Sequence, residues 1–102
     1  MSTRPDLFVR NVVIGRLRDG LGLSAIRPGL DAILALTPGG LLDCRVGTDL
    51  RLRQGSWDFA ITSDFVDEEA YRAYDTDGEH NRIRRELFAP YCEEIVRAQF
   101  TA

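Results

Sequence analysis

Apolar and polar residues alternate along four stretches of this chain, and such alternation predicts β-strands. The predicted strands span residues 8–18, 41–50, 57–65 and 93–100. On the first strand, one face carries Val9, Asn11, Val13 and Leu17, and the other carries Arg10, Val12, Ile14 and Arg16. Both faces of this strand therefore hold apolar residues, and both need to be covered in the folded protein.

The second and third predicted strands each place a row of mostly apolar residues on one face. These rows are Leu42, Cys44, Val46 and Leu50 on the second strand, and Trp57, Phe59, Ile61 and Phe65 on the third. We expect both rows to face the same core as one face of the first strand.

The segment after the first strand has helical spacing. Apolar residues recur between Ile26 and Leu34, and TPGG at 37–40 ends the predicted helix. Ser24 is the predicted N-cap. Pro28 is compatible with this helix only if it lies in the first turn, because proline has no N–H to donate.

A second and a third helix are predicted after the third strand. Asp67 is the expected N-cap of a helix that runs to about Tyr74. The DTDG segment at 75–78 breaks it, and the next helix spans roughly Glu79 to Ala89 and stops at Pro90.

The order of these elements is β-α-β-β-α-(α)-β, which is the pattern of a ferredoxin-like α+β fold. It predicts one four-stranded antiparallel sheet with helices on one face. The chain has 102 residues, so no element is left to cover the other face. A second copy of the sheet can cover it, and we therefore expect a homodimer.

Composition and charge narrow the class of protein. The apolar fraction of 44% and the charged fraction of 28% are ordinary for one folded domain, which we assign to residues 8–102 after a flexible N-terminus at 1–7. A net charge of −3 disfavours nucleic acid as a partner. No apolar run approaches the roughly 20 residues that span a membrane, so we expect no membrane partner and a cytoplasmic protein.

Four segments of the chain together resemble the stress-responsive dimeric α/β-barrel (Dabb) domain over about residues 8–100. They are NVVIGRLRDG, CRVGTDL, WDFAITSDF and EEAYRAYDTDGEHNRIRRELFAPY. The resemblance implies a homodimer whose two sheets form a central barrel, with a pocket between the sheet and the helices of each subunit.

The resemblance also implies candidate site residues. Some plant members of the family are similar to cofactor-free polyketide cyclases that use a Tyr and a His at the positions of Tyr74 and His80. Those enzymes carry a further His on the first strand, where this chain has Asn11. The His-Pro pair that typically precedes the second position is replaced here by Asp77-Gly78.

His80 is the only histidine of the chain and the strongest catalytic candidate. It shares a helical stripe with Ile83 and Leu87, so its ring is expected to face the pocket. A neutral imidazole there can accept a proton at neutral pH. Tyr74 can direct a substrate oxygen by donating a hydrogen bond. The alternative is that His80 bonds a backbone carbonyl or Tyr74, and that Tyr74 only fills the core.

The remaining candidates are ligand-binding residues. Asn11 and Val13 share the pocket-facing side of the first strand, and the Asn11 amide needs a partner such as a ligand oxygen, a water or Tyr74. Trp57, Phe59 and Phe88 are candidate apolar walls, although aromatic residues at these spacings also suit a plain core.

The sequence gives little support for metal binding or for cysteine chemistry. Asp75, Asp77, Glu79 and Glu86 have offsets similar to those of a calcium loop, but His80 occupies the position that requires glycine. Cys44 and Cys92 lie far apart and are expected to be small buried apolar residues. We therefore expect no metal and no cofactor. Arginines and carboxylates on the predicted strands suggest ion pairs across strands or across the dimer.

Two functions from different classes follow. One is a cofactor-free acid/base enzyme for a small, largely apolar carbonyl or phenolic compound, catalysing a cyclisation, an isomerisation or a related lyase step, with His80 as the base and Tyr74 as the oxygen-directing donor. The other is a non-catalytic, stress-related or ligand-binding dimer in which both residues are structural.

Overall fold

The computed structural model describes residues 7–102 and contains the predicted four-stranded sheet. Its strands are β1 (Val9–Leu17), β2 (Leu41–Thr48), β3 (Phe59–Phe65) and β4 (Cys92–Thr101). The order across the sheet is β2-β3-β1-β4, and every neighbouring pair is antiparallel. The ferredoxin-like α+β fold is therefore confirmed. The flexible segment predicted for residues 1–7 lies outside the described residues except for Leu7.

Three helices cover one face of the sheet. They are α1 (Arg27–Ala35), α2 (Glu68–Asp75) and α3 (Gly78–Ile83). A 3₁₀ turn at Leu23–Ile26 precedes α1, and a π-helical segment at Arg84–Phe88 continues α3. No helix within residues 7–102 has both the length and the apolar character required to cross a membrane.

The two faces of β1 differ as the alternation predicted. Val9, Asn11 and Leu17 are buried under the helices. Ile14 lies on the opposite face, 38% exposed, beside its β4 partner Val96 at 43%. We call this opposite side the open face of the sheet, because no element within residues 7–102 covers its apolar side chains.

The core lies between the sheet and the helices. It joins α1, β3 and the α3 region through Ile26, Leu30, Ile33, Phe59, Ile61, Ile83 and Phe88. Cys92 is buried in this core and Cys44 is half-buried against it, and both are free thiols. One predicted cross-strand ion pair is present on the other side of the sheet, where Arg10 Nε donates to Asp64 Oδ1 at 2.8 Å.

Three predictions about element ends are wrong. Ser24 is not a helix cap, because a 3₁₀ turn occupies its position and α1 begins at Arg27, with Pro28 in the first turn as required. β2 ends at Thr48, so Leu50 is 79% exposed and does not join the core row. β3 begins at Phe59, which leaves Trp57 outside the strand.

Candidate active site

The junction between α2 and α3 brings Tyr74 and His80 together. Asp67 caps α2 by accepting from the Ala70 N–H at 2.9 Å, and Asp77 caps α3 by accepting from the His80 N–H at 3.0 Å. Only two residues separate the helices, so the last turn of α2 and the first turn of α3 are adjacent. As a result the Tyr74 and His80 rings stack, with centroids 4.0 Å apart and planes 25° apart.

A hydrogen bond to the backbone sets the tautomer of His80. Its Nδ1 lies 3.0 Å from the Tyr74 carbonyl oxygen. Because a carbonyl can only accept, Nδ1 carries the proton and Nε2 is left with its lone pair. Within residues 7–102 no protein group bonds Nε2. Every fully buried polar side-chain atom in this range has a partner, so the unpartnered Nε2 is not fully buried. Nε2 is therefore the ring nitrogen that remains available to the cavity.

The surroundings of His80 favour the neutral imidazole. Burial lowers the pKa of His80 below its ordinary value, and the charge of Arg84 lowers it further. The bond to the Tyr74 carbonyl and the carboxylates of Asp75 and Asp77 act in the opposite direction without reversing the shift. At neutral pH the ring is thus an uncharged proton acceptor.

The Tyr74 hydroxyl is kept protonated by its environment. The side chain is buried and its ring packs against Phe65 at a centroid distance of 5.1 Å. Burial raises the pKa of Tyr74 well above its ordinary value. The hydroxyl has no hydrogen-bond partner among the described residues, so it is free to donate to a ligand oxygen.

A cavity of about 280 Å³ lies between the sheet and these helices, and both Tyr74 and His80 line it. Its sheet side is formed by Asn11, Val13, Ile61, Ile95 and Arg97. Its helix side is formed by Ile33, Tyr71, Tyr74, Asp75, His80, Arg84, Phe88 and Ala89. An apolar cavity of about 150 Å³ already holds benzene, so this space accommodates a compound with one aromatic ring.

Five of the seven predicted site residues line this one cavity. They are Asn11, Val13, Tyr74, His80 and Phe88. Phe88 lines the cavity because the π-helical segment after α3 changes the direction in which the following side chains point. The bond from the Ala89 N–H to the Arg84 carbonyl, at 2.9 Å, spans five residues and so marks the π-helical turn. Leu87, predicted to share the His80 stripe, is half-buried against the core instead.

Trp57 and Phe59 lie elsewhere, which corrects their predicted place in the cavity wall. Phe59 packs behind Phe88, with ring centroids 5.7 Å apart, and covers Gly15 on the neighbouring strand. Trp57 precedes β3 and borders a depression on the open face, where the Arg16 guanidinium lies 4.5 Å above its ring.

Two protein side chains contact the amide of Asn11. Its Oδ1 accepts from Gln99 Nε2 at 2.9 Å, and its Nδ2 donates to Ser63 Oγ at 3.4 Å. Each end of the amide therefore has one protein partner, and neither of these partners is Tyr74. This network holds Asn11 in place at the floor of the cavity.

Sequence reasoning missed the charged lining of the cavity. Arg84 could have been predicted, because it lies four positions after His80 and therefore on the same side of a helix. Arg97 pairs with Val13 in the β1–β4 register and so shares its side of the sheet. Tyr71 and Asp75 complete this group. No group of three or more potential metal ligands occurs among the residues that the structure describes.

Fold and cavity together define a ferredoxin-like α+β domain with a pocket between its sheet and its helices. The family model described as Stress responsive A/B Barrel Domain matches residues 11–102, and the chain belongs to this Dabb family. No functionally curated protein matches the chain.

Solved structures support the same fold. A dimeric ferredoxin-like protein of unknown function from Thermobifida fusca is 25% identical, with a TM-score of 0.82, over 94% of this chain and 92% of that one. Hydroxynitrile lyase from Passiflora edulis is 22% identical, with a TM-score of 0.78, over 96% and 95%. A Dabb family protein from Mesorhizobium loti is 16% identical, with a TM-score of 0.71, over 93% and 96%.

Proposed function

We propose that the chain forms a homodimer through the open face of its sheet and works as a cofactor-free acid/base enzyme. The dimer is supported by the uncovered apolar side chains of Ile14, Val96 and Phe100, which are 38–49% exposed. It is also supported by the similar protein from Thermobifida fusca, which is described as dimeric. In such a dimer the two sheets face each other, and the helix-side cavity of each subunit stays separate from that of its partner.

The catalytic part of the proposal rests chiefly on the bond between His80 Nδ1 and the Tyr74 carbonyl. This bond leaves Nε2 unprotonated and without a protein partner in the described part of the chain. A positioned imidazole of this kind contributes about 10²–10⁴-fold to a proton-transfer step. The fold alone carries no activity, so the lyase among the similar structures supports only the capacity of the fold for such chemistry.

The reaction begins with proton transfer from substrate carbon to His80. Nε2 takes the proton next to a carbonyl group, and the electron pair of the broken C–H bond forms an enolate. The Tyr74 hydroxyl donates a hydrogen bond to the enolate oxygen and so stabilises the developing charge. In an isomerisation, the imidazolium then returns its proton to another carbon of the enolate. In a cyclisation, the enolate carbon first attacks a second carbonyl carbon of the substrate, the π electrons of that carbonyl move to its oxygen, and the resulting alkoxide takes the proton from the imidazolium.

The shape and lining of the cavity favour a small, largely apolar carbonyl or phenolic substrate. Val13, Ile33, Ile61, Ile95 and Phe88 supply the apolar walls. Hydrogen bonds to a substrate oxygen are stronger beside such walls than in bulk water.

A non-catalytic binding dimer is the second candidate, and the same histidine contact favours it. The Nδ1 bond and the ring stack join the end of α2 to the start of α3. A residue with only this structural task would stabilise the helix pair without taking a proton from a ligand.

Two substitutions at one position separate these functions. His80→Asn can keep a donor near the position of Nδ1 but has no basic nitrogen, whereas His80→Ala loses both. Deuterium exchange at the carbon next to the carbonyl of phenylacetone, followed by NMR, reports proton abstraction. We expect both variants to lose exchange by about 10²–10⁴-fold, and only His80→Ala to lose about 1–3 kcal/mol of stability.

Two other results would favour the non-catalytic binding dimer. Exchange by the wild type no faster than in buffer, or full exchange activity in His80→Asn, would contradict the acid/base enzyme. Circular dichroism and thermal unfolding of each variant confirm that a loss of exchange is not a loss of folding.

A further inference from the structure

The helix-side cavity carries an excess of positive charge within an acidic protein. Arg84 and Arg97 both line it, and Asp75 is the one carboxylate among its lining residues. The whole chain has a net charge of −3. Two guanidinium groups beside apolar walls therefore stand out against the general charge of the molecule.

The two arginines differ in how they are held. Arg84 Nη1 donates to Asn81 Oδ1 at 3.1 Å and lies 3.4 Å from Asp75 Oδ1, so its head group is fixed by neighbours. Arg97 has no hydrogen bond or ion pair within residues 7–102. It is exposed at the β4 edge of the cavity, which leaves its donors available to a ligand.

Tyr71 adds a neutral donor to the same region. Its ring packs edge-on against Phe65 at 5.8 Å, and its side chain lines the cavity. Burial raises the pKa of Tyr71, while the charges of Arg97 and Arg84 act on it in the opposite direction. Both guanidinium groups thus act on the hydroxyl electrostatically, and each of the three groups can donate a hydrogen bond to an anion.

We propose that this cluster of Arg97, Arg84 and Tyr71 binds the carboxylate of a small aromatic or otherwise apolar acid whose body fills the cavity. A carboxylate matches the planar fork of arginine and can accept two parallel bonds from it. The apolar walls receive the rest of the molecule. This deepens the proposed function, on which it rests for the choice of cavity, by assigning a charge to the substrate.

The test compares an acid with its neutral amide. The probes are 4-hydroxybenzoate and 4-hydroxybenzamide, which differ in charge but hardly in shape. Each is titrated into the 102-residue protein with ¹H–¹⁵N NMR detection that includes the arginine Nε–H signals. We expect the acid to bind at least tenfold more tightly than the amide and to shift the Arg97 signal.

Two variants with the same change in charge locate the effect. Arg97→Gln is expected to weaken the acid by about threefold to tenfold and to leave the amide unchanged, because an exposed ion pair is modest in strength. Arg85→Gln is the control, since Arg85 is exposed on the neighbouring turn outside the cavity lining. It is expected to change neither affinity.

Equal affinity for acid and amide, equal losses in the two variants, or no binding of the acid at millimolar concentration would overturn the proposal. Failure here is distinguishable from failure of the acid/base enzyme. Exchange of phenylacetone needs no carboxylate, and binding of 4-hydroxybenzoate needs no proton transfer.

Discussion

The two faces of the sheet differ in the side chains that β1 places on them. On the helix side, β1 buries the polar Asn11, whose amide bonds Ser63 and Gln99, next to a cavity with free donors and a base. On the open face, it presents the apolar Ile14 to the surroundings. Buried polar groups are costly and exposed apolar ones favour association. We therefore assign ligand chemistry to the first face and self-association to the second.

The tight packing of the core on the helix side of the sheet is tested by one added methyl group. A Cβ on Gly15 would lie only 2.1 Å from the ring of Phe59, which is 2% exposed and cannot move away. We expect Gly15→Ala to lower the free energy of unfolding by about 1–3 kcal/mol. Chemical denaturation at one fixed protein concentration measures it.

Gly47→Ala is the matched control on β2. A Cβ at Gly47 meets no atom of its own subunit within 4 Å. Because this residue borders the open face, the two variants are compared at a protein concentration low enough to dissociate the dimer. We expect a change within about 0.5 kcal/mol. Equal losses in the two variants would remove the contrast in packing between the faces.

The assignment of the open face to self-association is tested by a charge at its centre. Ile14→Asp places a carboxylate among apolar side chains, and we expect the dimer dissociation constant to rise at least tenfold. Leu34→Asp is the control, because Leu34 is 48% exposed but lies on α1. Sedimentation equilibrium that finds both variants equally dimeric would contradict the assignment.

A smaller effect is expected in the pH dependence of stability. The folded pKa of His80 is lowered, so the unfolded chain binds the proton more readily than the native one. The stability contributed by neutral His80 is complete above the unfolded pKa of about 6.5 and declines as the pH falls toward the folded value. His80→Asn should lack this decline, as unfolding curves at several pH values can show. A decline of the same size in the variant would assign it to other groups.

The fold was predictable because its signals are local. The alternation in β1, the Asp67 cap and the stop at Pro90 each act over a few residues, and the same holds for the approach of Tyr74 to His80 across a short break. Ser24 and Trp57 were among the misplaced residues. A 3₁₀ turn occupies the position of Ser24, and Trp57 precedes β3 and contacts Arg16 of β1, which is distant in the sequence.

The charged half of the cavity needed the sheet register. Arg97 reaches the cavity only because β4 pairs beside β1 and sets it opposite Val13, and residue spacing contains no such information. The π-helical segment has the same character. With this segment, Phe88 lines the cavity and Leu87 does not. An uninterrupted α-helix over 79–89, the simplest expectation, would place Leu87 on the same side as His80.

The central claim is that His80 presents an unprotonated Nε2 to the cavity. Long-range ¹H–¹⁵N NMR measures this directly, and the chain has one histidine, so a single ring contributes the signals. We expect the proton on Nδ1, titration below the ordinary histidine pKa, and a shift of the Nε2 signal when a cavity ligand binds. A proton on Nε2 at neutral pH, or titration above the ordinary value, would contradict the account.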